Sequence, residues 1–171
     1  MQRREVTVSE YSEFLTHLAT SDIDAATARL PGAIDGTTPW QLDGRSQVVL
    51  PHGVSPDHPV RGVSWTDAQS YVRWWDTNRN PRPAALWADL PGRHEWIRAG
   101  HGGDGRKYPF GEVFRPAWVS SRFGSEPLGP SPVGSHPVDR SPWGVLDMAG
   151  SAREWLGNEL DTGLRLAAGG G

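Results

Sequence analysis

The chain has 171 residues, a formal net charge of −3 and no cysteine, a length that supports one domain burying about 70% of its unfolded surface. The charge leaves no electrostatic footprint for nucleic acid or an anionic membrane. No apolar run is long enough to span a bilayer and the N-terminus is not signal-like, so a soluble cytoplasmic protein is expected. Without cysteine there are no disulfides, thiolate metal sites or cysteine nucleophiles. Nine Trp alongside 21 Gly and 15 Pro describe irregular segments pinned by large aromatic anchors.

Thr7-Val-Ser-Glu10 reads as a capping box opening a helix. Tyr11, Phe14, Leu15 and Leu18 then recur at i, i+3, i+4 and i+7 and form one apolar face ending near Thr20. Residues 21–57 read as a variable insertion with an Ala-rich patch and a short strand at Val48-Val49-Leu50. Ser64, with Asp67 three residues on, caps a second helix whose buried face is Trp65, Ala68, Tyr71, Val72 and Trp75, with Trp74 off that stripe. Ser64 lacks the second glycine of a nucleophile elbow and is a cap, not a catalytic serine. A third helix follows Leu90-Pro91, with Pro91 in its first turn. His94-Glu95 is not a zinc helix, because Arg98 stands where a second His is needed. Gly100-His-Gly102-Gly-Asp-Gly105 follows a helix rather than a strand and reads as a turn, not a dinucleotide site. The scattered His17, His52, His58, His101 and His136 show no paired ligand spacing.

Residues 141–155 set Asp147 and Glu154 among Trp143, Val145, Leu146, Met148 and Trp155, with a Gly150-Ser151 turn between the two acids. A carboxylate beside such groups loses hydration and needs a partner or a cation. Two readings follow from the residues. In one the acids pair with Arg140 or Arg153. In the other, Asp147, Glu154 and the carbonyls of Gly150 and Ala152 form an all-oxygen site suited to calcium.

Gly-Val-Leu-Asp-Met-Ala-Gly-Ser-Ala-Arg-Glu-Trp at 144–155 resembles the signature of the formylglycine-generating-enzyme (sulfatase-modifying factor) family. So do Glu5-Val6-Thr7, Val63-Ser64-Trp65-Thr66-Asp67-Ala68, Leu90-Pro91 through Glu95-Trp96, Tyr108-Pro109-Phe110-Gly111 and Pro132-Val133-Gly134-Ser135. The resemblance implies an α+β, C-type-lectin-like fold, loop-rich with short strands and two or three helices, as a single partial domain over 1–171 incomplete at both ends. It implies one structural calcium at Asp147, Gly150, Ala152 and Glu154, with Ser151 where the family usually has Asn. A second calcium site is not expected, since Ala117-Trp118-Val119 offers no side-chain oxygen. No copper is expected, because Cu(I) is soft and this chain has no thiolate for it.

The reading is therefore a non-catalytic module that binds a protein or small-molecule ligand, with no catalytic residues assigned. Its style is similar to bacterial kinase-associated members, so a protein kinase is one expected partner. A chain that completes the sheet by strand pairing is another. The alternative is an oxidoreductase of the same family, forming formylglycine or an iron-dependent sulfoxide product, with catalytic residues beyond Gly171 or in another domain.

Overall fold

The structure is a computed structural model and describes residues 1–33, 39–79, 87–121, 131–159 and 163–170. It contains two compact units: a helical unit, Val6–Leu90, and a loop unit, Met1–Glu5 with Pro91–Gly171.

The helical unit begins with α1 (Val8–Ala19). The expected capping box is present: the Thr7 hydroxyl accepts from the Glu10 N–H at 3.2 Å, and the Glu10 carboxylate accepts from the Thr7 N–H at 2.9 Å. Two otherwise orphaned donors are thus satisfied by one pair of side chains. The Thr20 cap ends the helix where the periodicity stops. Next comes α2 (Ile23–Thr27), with the Asp22 carboxylate accepting from the Ala25 N–H at 2.8 Å. Strands β1 (Gln41–Leu42) and β2 (Val48–Val49) form an antiparallel pair with Gln41 opposite Val49 and Leu42 opposite Val48. Helix α3 (Trp65–Asn78) starts on Ser64, whose side chain accepts from the Asp67 N–H.

Val8, Tyr11, Phe14, Leu15, Trp40 and Tyr71 form the core of this unit. Leu15 is fully buried and Tyr11 is 1% exposed. Tyr11, Phe14, Tyr71 and Trp74 meet with ring centroids 5.4–5.8 Å apart, a spacing at which tilted and edge contacts add to the burial of area. Trp74, expected off the buried stripe, is half-buried and belongs to this aromatic set. The Tyr11 hydroxyl donates to the Arg29 carbonyl at 3.0 Å, so its polar end is satisfied within the core.

The loop unit carries α4 (Arg93–His101), the 3₁₀ turn Pro116–Trp118, and the antiparallel pair β3 (Arg153–Glu159) and β4 (Arg165–Gly169). Gly92, in extended conformation, is the N-cap of α4, so Pro91 precedes the helix instead of lying in its first turn. The Glu95 carboxylate reaches back to the Gly92 N–H at 2.7 Å. In β3–β4, Glu154 faces Ala168 and Trp155 faces Ala167, and the register shifts before Glu159 meets Arg165.

Among the described residues there are four α-helices rather than two or three. The extra one is α2, a five-residue piece within 21–57 that is too short to show a period. No helix is long and apolar enough to cross a membrane among the described residues.

Candidate functional site

The loop unit holds a group of buried acids, delivered by its turns and one strand. Asp147 and Ser151 both have left-handed backbone, with φ of 63° and 62°, a conformation that side chains other than glycine seldom adopt. Between them Met148 turns inward and is 2% exposed. At Gly150 an added Cβ would lie 2.6 Å from the Ser120 carbonyl oxygen, so only glycine fits. Asp139 ties this turn down. Its carbonyl accepts from the Asp147 N–H at 2.9 Å, and its carboxylate accepts from the Ala149 N–H at 3.0 Å.

Asp147 Oδ2 accepts from the Gly134 N–H at 2.5 Å. Glu154, on β3, accepts from the indole N–H of Trp96 on α4. Glu5 closes the group from the other end of the sequence: its carboxylate accepts from the Ser151 hydroxyl at 2.7 Å and the Ala152 N–H at 2.9 Å. The Arg3 carbonyl accepts from the Leu146 N–H at 2.9 Å, so the N-terminal segment is stitched to both sides of the turn.

These contacts do not offset the loss of water. Burial pushes the Glu5 carboxyl up to about 8, and the charges of Glu154 and Asp147 add to the rise. Burial also raises Glu154 to about 7, with Asp139 and Asp147 contributing. Asp139 rises to about 6 and Asp147 is raised as well, again chiefly by burial. Among the described residues none of the four forms an ion pair. The pairing of Asp147 or Glu154 with Arg140 or Arg153, one of the two readings of the sequence, is therefore not what the fold does with them.

The sequence-derived positions Asp147, Gly150, Ala152 and Glu154 thus lie on one turn and the strand that follows it, and the two carboxylates act on each other. Among the described residues no three His, Asp or Glu side chains meet closely enough to hold one ion by themselves. A cation here has to take backbone carbonyls into its shell. Glu5 and Asp139 are the members that sequence reasoning missed. Glu5 stands in the Glu-Val-Thr entry to α1, where its neighbours suggest only a helix start. Asp139 is a single acid in a Pro-rich loop. Each is joined to the turn by contacts that spacing along the chain does not reveal.

Comparison with known proteins gives this constellation a family. The profile described as the sulfatase-modifying factor enzyme 1-like domain matches residues 1–171. The hercynine oxygenase of Mycolicibacterium thermoresistibile is 30% identical over 126 residues, which cover 71% of this chain and 26% of that protein. The formylglycine-generating enzyme of Bos taurus is 29% identical over 160 residues, 85% of this chain and 38% of that protein. A serine/threonine-protein kinase, Pkn1 of Chlamydia trachomatis, is 36% identical over 99 residues, 57% of this chain and 13% of that protein. The matched part is thus well under half the length of each of these relatives. With its full length matched by one family profile, the chain belongs to the sulfatase-modifying factor enzyme 1-like (FGE-sulfatase) family.

Proposed function

We propose that this chain is a non-catalytic binding module of its family, built on a C-type-lectin-like fold and stabilised by one structural calcium. The calcium is held by the carboxylates of Asp147 and Glu154 and the carbonyls of Gly150 and Ala152. The observation that carries this reading is the group of four buried acids, each raised by burial and by its neighbours' charges. Buried carboxylates without a counter-charge are costly. A hard divalent cation takes oxygen ligands from both carboxylates and carbonyls and offsets that repulsion. The residues present fit calcium in donor type and charge. They do not fit Cu(I), since a soft ion prefers thiolates and the chain has no cysteine.

The partner is a protein or small molecule. Relatives that are serine/threonine kinases support a kinase-linked sensor role, in the cytoplasm. A second reading is favoured by the names of other relatives, hercynine oxygenase and formylglycine-generating enzyme. In that reading the chain is part of an oxidoreductase whose reacting groups lie outside these 171 residues.

Chelator is expected to lower the melting temperature of freshly purified protein, and added calcium to restore it. Asp147→Asn and Glu154→Gln should each abolish the difference. A melt indifferent to chelator, or metal analysis by mass spectrometry that finds no calcium, overturns the calcium reading. Copper-stimulated oxygen uptake by these residues alone overturns the non-catalytic one.

A further inference from the structure

The helical unit has a second feature that the acidic turn does not use. A crevice of about 330 Å³ is lined by Glu10 and Glu13 from α1 and by Tyr71, Trp74, Trp75 and Arg79 at and beyond the middle of α3. This is near the lower end of the range of small-molecule sites, about 300–1,000 Å³. Three of its six lining residues are aromatic. Trp74 carries an indole N–H shielded from solvent, with no acceptor among the described residues. A buried donor left in that state is costly, and such groups are rare in folded proteins. At the rim Arg79 pairs with Glu13, and both side chains are about half exposed, 51% and 46%. An exposed pair of this kind contributes little to stability and can be exchanged for a ligand's charges at small cost.

We propose that this crevice binds a free α-amino acid with an aromatic side chain. The claim deepens the binding-module reading and rests on it. The lining narrows the ligand class in three steps. The Trp74 N–H and the Arg79 guanidinium both ask for an acceptor, and a carboxylate answers both. Two carboxylates against one guanidinium leave the lining acidic, so a simple anion is opposed and an added ammonium group is favoured. The three rings supply flat apolar walls that suit another ring and also attract a cation. A ligand with carboxylate, ammonium and ring on one carbon frame meets all three demands. An acid alone, or an amine alone, meets two.

The test is isothermal titration calorimetry of the 171-residue chain with L-phenylalanine, beside 3-phenylpropionate, which lacks the amine, and phenethylamine, which lacks the acid. L-Phenylalanine should bind saturably, and both analogues about tenfold or more weakly, the size expected for losing a charge-assisted hydrogen bond. Arg79→Ala and Glu13→Gln change exposed side chains, and each should weaken L-phenylalanine binding by a similar factor with an unchanged melt. Trp74→Phe keeps a ring but removes the N–H, and should also weaken binding. No saturable heat from L-phenylalanine overturns the proposal. So does an analogue that binds equally well, or an Arg79→Ala protein that binds as the parent does. None of these results depends on chelator, so the calcium reading stands or falls separately, on its own melting and metal measurements.

Discussion

The helical unit and the loop unit hold together by opposite means. In the helical unit the buried residues are rings and aliphatic chains. Val8, Tyr11, Phe14, Leu15, Trp40 and Tyr71 form one cluster, and burial of apolar area supplies the drive to fold. In the loop unit a smaller set of apolar residues (Val119, Val145, Met148 and Leu156) shares the interior with buried Glu5, Asp139, Ser141 and Asp147. There, hydrogen bonds to backbone N–H groups fix the turns, and charge opposes the packing. The first unit needs only water to fold against. The second carries an electrostatic strain that a cation or protons can relieve.

The sharpest way to test this contrast is pH with calcium chelated, and it should give the largest effect. The Glu5, Glu154 and Asp139 carboxyls sit at about 8, 7 and 6, raised from 4.5, 4.5 and 3.8. The folded state therefore holds these protons more tightly than the unfolded state. The stability linked to them is fully present below the unfolded values and is lost as pH rises through about 6 to 8. A tenfold change in proton affinity is worth about 1.4 kcal/mol, and each of the three exceeds that. Chelated protein should melt higher at pH 5 than at pH 8.5. Saturating calcium should flatten or reverse the trend, because the ion favours the charged carboxylates. A chelated protein that melts higher at pH 8.5 breaks the contrast.

Next in size is Leu15→Ala in the helical core. Leu15 is fully buried, and its truncation should cost about 3 kcal/mol in denaturant unfolding, with calcium or with chelator alike. Gly150→Ala probes the other unit. Its new Cβ would lie 2.6 Å from one backbone oxygen, 3.0 Å from the Ser120 nitrogen and 3.1 Å from the Val119 Cβ. Overpacking of this kind costs about 2 kcal/mol. It should also shrink the rise in melting temperature on adding calcium, because it displaces the turn that joins Asp147 to Glu154. A Leu15→Ala loss that depended on calcium, or a Gly150→Ala loss that did not, would blur the distinction between the units.

The two units also differ in how far they can be read from sequence. Helices α1 and α3 are legible because their signals are local. Thr7 and Glu10, like Ser64 and Asp67, are three residues apart, and Tyr11, Phe14 and Leu15 repeat at the helical period. Helix α2 has five residues and offers only the Asp22 cap. Trp74 falls outside the expected stripe because a stripe drawn on α3 alone ignores the aromatic face that α1 brings to it. In the loop unit Asp147 and Glu154 stand out as acids among Trp and Met, and resemblance to a family joins them to Gly150 and Ala152. Glu5 is beyond reach, since its partners Ser151 and Ala152 lie 146 and 147 positions away. A buried acid held by turns leaves no period in the sequence, whereas a buried ring on a helix does.

The smallest effect tests whether the helical unit depends on its local signals as well as its core. Thr7 is buried and joins two roles: its hydroxyl accepts from the Glu10 N–H at 3.2 Å, and it pairs with Pro59 in an isolated β-bridge. Thr7→Ala keeps the backbone of that bridge but removes the cap, and should cost about 1 kcal/mol. Thr7→Ser restores the oxygen without the methyl group and should recover most of the loss. Glu10→Gln keeps a side-chain acceptor for the Thr7 N–H and should cost less than Thr7→Ala. All three losses should be the same with calcium and with chelator, because the capping box neutralises backbone donors and not buried charge. If Thr7→Ala cost as much as Leu15→Ala, the first turn rather than the aromatic cluster would be the anchor of this unit. If it cost nothing, the backbone bonds from the Val8 and Ser9 N–H groups to the carbonyls of His58 and Pro56, at 2.8 and 2.9 Å, would be enough to start the helix.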